Sequence, residues 1–92
     1  MLQDLGDLPG AKENLESALT IDEAVFGPDH PDVARDLSNL GLVLWELGDP
    51  DTTRKNLIRA LEIDRKVLGE DHPSTKRMRD NLAALDTQAK DG

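Results

Sequence analysis

Apolar positions recur along the chain with helical spacing. Leu15, Ala18, Leu19, Val25 and Phe26, with Asp22 among them, fall at the i, i+3, i+4, i+7 positions of one helix face. Ile21 widens that face, as expected for a helix packed on two sides. Gly27-Pro28-Asp29-His30-Pro31 then breaks the pattern. Gly27 suits the left-handed residue after a helix, and Pro31 the first position of the next. Val33, Leu37, Leu40, Gly41, Leu44 and Leu47 form the stripe of a second helix. Gly48-Asp49-Pro50 turns the chain, a third helix runs to about Leu68, and a fourth starts at Pro73. No segment alternates as a strand does. The pattern predicts an all-α chain with helices over about 9–26, 31–47, 50–68 and 73–89, and Met1–Leu5 as the last turn of an earlier helix.

The pattern repeats with a period of 42 residues. Leu5, Gly6, Asp7, Asn14, Leu15, Ala18, Leu19, Ile21, Asp22 and Val25 return as Leu47, Gly48, Asp49, Asn56, Leu57, Ala60, Leu61, Ile63, Asp64 and Val67. Gly27, Asp29, His30, Pro31, Arg35, Asn39 and Leu40 return as Gly69, Asp71, His72, Pro73, Arg77, Asn81 and Leu82. These are 17 identities without a gap between 5–46 and 47–88. Small residues sit on the apolar stripes at fixed places, Ala18 and Ala60 in one helix type, Gly41 and Ala83 in the other, where helix backbones approach. Short turns favour antiparallel neighbours, and stacked helical hairpins make a solenoid. One domain over 1–92 is expected, with a first unit at 5–46 and a second at 47–88.

Leu-Gly-Asp, a helix carrying Ala-Leu-x-Ile, Gly-x-Asp-His-Pro and then Asn-Leu-Gly or Asn-Leu-Ala resemble the tetratricopeptide repeat in its long, 42-residue form. Kinesin light chains carry this form, as do many bacterial, especially actinobacterial, signalling proteins with a nucleotide-binding switch domain. The resemblance covers about residues 3–88. It implies a right-handed superhelix of αα-hairpins, about four helices here plus the N-terminal stub. It also implies a protein–protein interaction module whose concave groove, lined by the A helices, takes a peptide. In that frame the A helices are 31–47 and 73–89, and the B helices 9–26 and 50–68. The short form of the repeat has 34 residues.

Within that frame the two ends differ. In the last helix Leu37, Leu44 and Val33 are replaced by Arg79, Asp86 and Thr75, while Met78, Leu82, Ala83 and Leu85 keep one apolar face. Loss of one apolar face is the mark of a capping helix, here 73–89, and of the C-terminal end of an array, with a polar, frayed tail over Gln88–Gly92. The helix over 9–26 has no such device. Its apolar side chains are expected to meet a preceding repeat in a larger protein, or a second copy of this chain in a two-fold dimer through the N-terminal helix face.

Charge and composition narrow the functions. Nineteen acids against eleven bases give −8, a poor match for nucleic acid or an anionic membrane. All of that excess lies in residues 1–46, which hold ten acids and two bases. Arg54, Lys55, Arg59, Arg65 and Lys66 read as a solvated basic face. There is no cysteine, so disulfides, zinc fingers and thiol chemistry are excluded. One Trp and one Phe leave little to stack on bases. The longest apolar run, Leu42–Trp45, is too short to cross a membrane, and the start lacks the features of a signal peptide. A soluble cytoplasmic protein without cofactor or metal is expected.

The candidate chemistry is that of recognition. Arg35, Asn39, Leu42 and Glu46 lie at i, i+4, i+7 and i+11, on the side of their helix away from Leu37, Leu40 and Leu44, with Ser38 and Trp45 flanking. Their mates are Arg77, Asn81, Ala84 and Gln88, flanked by Asp80 and Thr87. The resemblance implies that Asn39 and Asn81 hydrogen-bond the main chain of an extended peptide. An amide offers both donor and acceptor for that task, and Arg35 and Arg77 suit acidic groups. Trp45 has no aromatic mate, and so stands outside the repeated core as a candidate contact. His30 and His72 sit one per turn, too far apart in a repeat to share a metal, and read as devices of the turn, with Asp29, Asp71 and Asp32. No phosphate loop or nucleophile–base set is present, and no catalysis is expected. Three readings follow: an interaction module forming the C-terminal part of a larger signalling protein, a purely structural or self-associating cap, and a regulatory segment of a nucleotide-switch enzyme.

Overall fold

The computed structural model describes residues 7–91, with side chains over 7–87. The expected stub at Met1–Leu5, and the side chains of the tail from Gln88, lie outside the described residues. Four helices follow one another: α1 Leu8–Phe26, α2 Pro31–Glu46, α3 Pro50–Val67 and α4 Pro73–Asp91. No strand occurs among the described residues. The packing runs α1 on α2, α2 on α3 and α3 on α4, an αα-hairpin repeat arrangement.

The helix ends follow from local chemistry. Asp7 and Asp49 cap α1 and α3, accepting from the amides of Gly10 at 3.0 Å and Thr52 at 3.2 Å. Hydrogen bonding from Thr52 holds the Asp49 carboxyl below its usual range. The other two helices are capped by imidazole. His30 Nδ1 accepts from the Asp32 amide at 3.0 Å, and His72 Nδ1 from the Ser74 amide at 3.1 Å. The histidines are therefore the capping residues themselves, in keeping with their reading as devices of the turn. Gly48, at φ 90°, ends α2 in a Schellman arrangement. There the Asp49 amide donates to the Leu44 carbonyl and the Gly48 amide to that of Trp45.

The core is built by Val33, Ala34 and Leu37 of α2, Ala60, Leu61 and Ile63 of α3, and Met78 of α4, with Leu19 and Leu82 packed against it. Gly41 lies over Thr53 and Leu57, and the Thr53 hydroxyl donates to the Gly41 carbonyl at 3.0 Å. A Cβ on Gly41 would meet those side chains at 3.6 Å, ordinary contact rather than the extreme approach the stripe suggests.

Three apolar expectations are corrected. Leu47 falls beyond the end of α2 and is 40% exposed. Ala83 is exposed rather than part of the apolar face of α4, whereas Thr75, in place of Val33, is fully buried. Ile21 is 60% exposed although its mate Ile63 is 3% exposed. The reason is positional. α3 is packed between α2 and α4, but among the described helices α1 packs only on α2. Thus α3 buries Thr53, Leu57, Ala60, Leu61, Ile63 and Asp64, and α1 buries no residue fully.

Four of the five basic residues named on α3 are engaged in ion pairs. Arg54 pairs with Asp86, Arg59 with Glu23, Arg65 with Glu70, and Lys66 Nζ with Asp29 Oδ2 at 2.7 Å. The Asp29 hydrogen bond raises the affinity of Lys66 for its proton. These pairs are half-exposed, so each adds little stability. Two of them, Arg59–Glu23 and Lys66–Asp29, offset acids of the first half with cations of α3.

Candidate functional site

A groove runs between α2 and α4 with α3 beneath it. Its polar end is a depression of about 470 Å³ lined by Asp32, Arg35, Ser38, Asn39, Arg77 and Asn81, among others. Its apolar end holds about 160 Å³ between Leu42, Trp45, Thr53, Leu57, Ala84 and Leu85. Leu42 and Asn81 border both, so the two are continuous.

Of the residues singled out in the sequence, eight line this groove: Arg35, Ser38, Asn39, Leu42, Trp45, Arg77, Asn81 and Ala84. Ser38 is buried at the floor, while Arg35, Asn39, Leu42, Arg77 and Ala84 are exposed. Glu46 and Asp80 are exposed on surfaces outside both parts of the groove, as is Thr87. Nine further lining residues lie outside that helical-face reading, Pro31, Asp32, Ser74 and Met78 among them. Leu68 and His72 come from the turn before α4, and Thr53, Leu57 and Leu85 face inward from α3 and α4. Only the packing of three helices brings them together.

The two arginines are not equivalent. Arg35 lies 3.6 Å from Asp32, one turn earlier on α2. The mate of Asp32 is Ser74, whose hydroxyl donates instead to the buried Asp64 at 2.7 Å. Arg77 consequently has no acid paired to it among the described residues. The groove presents one free guanidinium, one weakly held guanidinium and two amides, Asn39 and Asn81, that are engaged by none of the hydrogen bonds around them. No group of three or more metal-ligating side chains exists among the described residues, and His30 and His72 each spend Nδ1 on a backbone amide.

These features, repeated helical hairpins around a groove, define a helical-repeat protein. A family model described as tetratricopeptide repeat matches residues 1–52 and 37–91, and the chain belongs to that family. No curated protein matches the chain. Tetratricopeptide repeats are non-catalytic scaffolds that mediate protein–protein interaction. No described helix is long and apolar enough to cross a membrane.

Proposed function

We propose that the chain is a protein-interaction module that holds an extended peptide, free or as part of a partner protein, in the α2–α4 groove. The observation that carries this reading is the placement of Asn39 and Asn81 on opposite walls of one continuous groove. Amide side chains so placed match the donors and acceptors of an extended main chain, which has no internal partners for them. Arg35 and Arg77 add affinity for acidic groups. The 42-residue period, shared with kinesin light chains and bacterial switch proteins, supports a place in a larger cytoplasmic signalling or scaffold protein. The test is capture of a peptide library by the parent chain and by Asn39→Ala/Asn81→Ala. Loss of captured peptides at unchanged helicity supports the reading, and equal capture rejects it.

The face of α1 supports a second reading, self-association. Ile21, Val25 and Phe26 are all exposed there, and Leu15 is half-buried where its mate Leu57 is buried. Glu13 and Glu16 beside them oppose a two-fold contact, while Glu23 is neutralised by Arg59.

A further inference from the structure

The joint between α1 and α2, away from the groove, carries a buried acid. Asp36 of α2 is 4% exposed, and its Oδ2 has no hydrogen-bond partner among the described residues. Across the joint lies Asp22, half-buried on α1. The matching joint between α3 and α4 lacks this pairing. There the mates are Asp64 and Met78, and Met78 fills its position at the same 4% exposure with an apolar side chain. Two ionised carboxyls at the first joint repel in a place where water cannot relieve them. With a proton on one, the same contact becomes a hydrogen bond.

The helix that bears this contact is lightly held. α1 packs chiefly on α2 and buries no residue fully. Its Leu19 rests against the core. Two half-exposed ion pairs tie α1 and the turn after it to α3, Glu23 with Arg59 and Asp29 with Lys66. Pairs of that kind add little, and an element with so few buried contacts opens by itself. We infer that protonation of the Asp22–Asp36 pair latches α1 onto α2, and that loss of the proton releases α1 while α2, α3 and α4 stay folded. The proton decides whether the array begins at α1 or at α2.

The sign separates this pair from most of its neighbours. Acid removes charge from Glu23 and Asp29 and so loosens their ties to Arg59 and Lys66. A proton on His30 Nδ1 removes the acceptor for the Asp32 amide at the start of α2. All three changes would free α1 on acidification, whereas the carboxyl pair holds it. On α2 itself Arg35 relieves the charge on Asp36, and Asp32 adds to it as the smallest influence.

The size of the effect follows from the Asp36 carboxyl. Burial first, then Asp22, push it up to about 6 from an ordinary 3.8. Docking is therefore tightest below about pH 4, loosens up to about pH 6 and is level above that. Between pH 4.5 and 7.5 the pair raises the opening of α1 by about 20-fold.

Amide hydrogen exchange of the full chain tests this, with each rate corrected for the intrinsic pH dependence of exchange. Protection of α1 should lie at least about tenfold below that of α3 at every pH, and should fall as pH rises. Asp36→Asn keeps the shape of the side chain and removes the titration. The ratio of α1 protection in Asp36→Asn to that in the parent should grow about 20-fold from pH 4.5 to 7.5. Asp22→Asn should remove part of the pH dependence, because burial still acts on Asp36. A ratio that stays constant with pH overturns the latch. Equal protection of α1 and α3 overturns it as well, because α1 then opens only with the whole chain. Full pH dependence in Asp22→Asn excludes Asp22 as the partner and overturns the pair.

Discussion

Asp36 of α2 faces Asp22 of α1, carboxyl to carboxyl, across the joint between the two helices. Asp36 is 4% exposed, and its Oδ2 has no hydrogen-bond partner among the described residues. Burial first, then the Asp22 hydrogen bond and charge, push its carboxyl up to about 6. Asp32 acts in the same direction and Arg35 opposes it. Protonated Asp36 can donate to Asp22, and loss of that proton leaves two like charges close together.

Folded Asp36 therefore binds its proton more tightly than unfolded Asp36, with an ordinary value of 3.8. Its contribution to stability is fully present below about pH 4, falls as pH rises to about 6, and is level above that. Asp36→Asn is expected to stabilise the chain at pH 7.5 by about 1–2 kcal/mol and to be nearly neutral at pH 4. Urea denaturation of both proteins across that range measures the difference. A constant difference at all pH values would contradict the raised Asp36 value.

Gly41 offers a paired substitution. Gly41→Ala places a methyl group at ordinary contact distance from Thr53 and Leu57 and removes a helix-interior glycine, so it should stabilise by about 0.5–1 kcal/mol. Gly41→Leu overfills the same space and should destabilise by about 1–3 kcal/mol. Thermal melts followed by circular dichroism check the opposite signs.

The imidazole caps predict a graded series. His72→Ala removes one cap and should cost about 0.5–2 kcal/mol, while His72→Asp, which restores a carboxylate acceptor, should recover most of it. His30→Ala should cost more, since His30 also stacks on Phe26 with ring centroids 4.2 Å apart. Equal costs at the two positions would mean that the stacking adds nothing.

If α1 mediates self-association, apolar contact must overcome the charges of Glu13 and Glu16. Salt screens these over about 8–10 Å, so association should strengthen from low to high salt, and Ile21→Lys should weaken it. Light scattering that gives a monomer at high concentration in both salts rejects it.

What was legible in the sequence follows the reach of each interaction. Pro31, Pro50 and Pro73 mark helix starts because proline acts through its own backbone, and Gly27 and Gly48 mark ends for the same reason. The face carrying Arg35, Asn39 and Leu42 was legible because it depends only on the turn of one helix. The burial of Thr75, the exposure of Ile21 and the inward side of Leu57 and Leu85 depend on which helix lies alongside, and periodicity carries no such information. The engagement of Asp36 with Asp22 rather than with a base was hidden for the same reason, since their mates are Met78 and Asp64.

The packing of each helix on the next in sequence bears on how the chain reaches this structure. Every major contact closes a loop of a few residues, so little chain entropy is lost before contacts form, and folding should be fast. The α2–α3 hairpin, with Thr53 bonded to Gly41 and most of the buried side chains, is the natural nucleus. α1, with no fully buried residue, can open while the rest stays folded. Amide hydrogen exchange should therefore be slowest in α2 and α3 and faster by orders of magnitude in α1. The chain behaves as a short one-dimensional array whose ends melt before its middle.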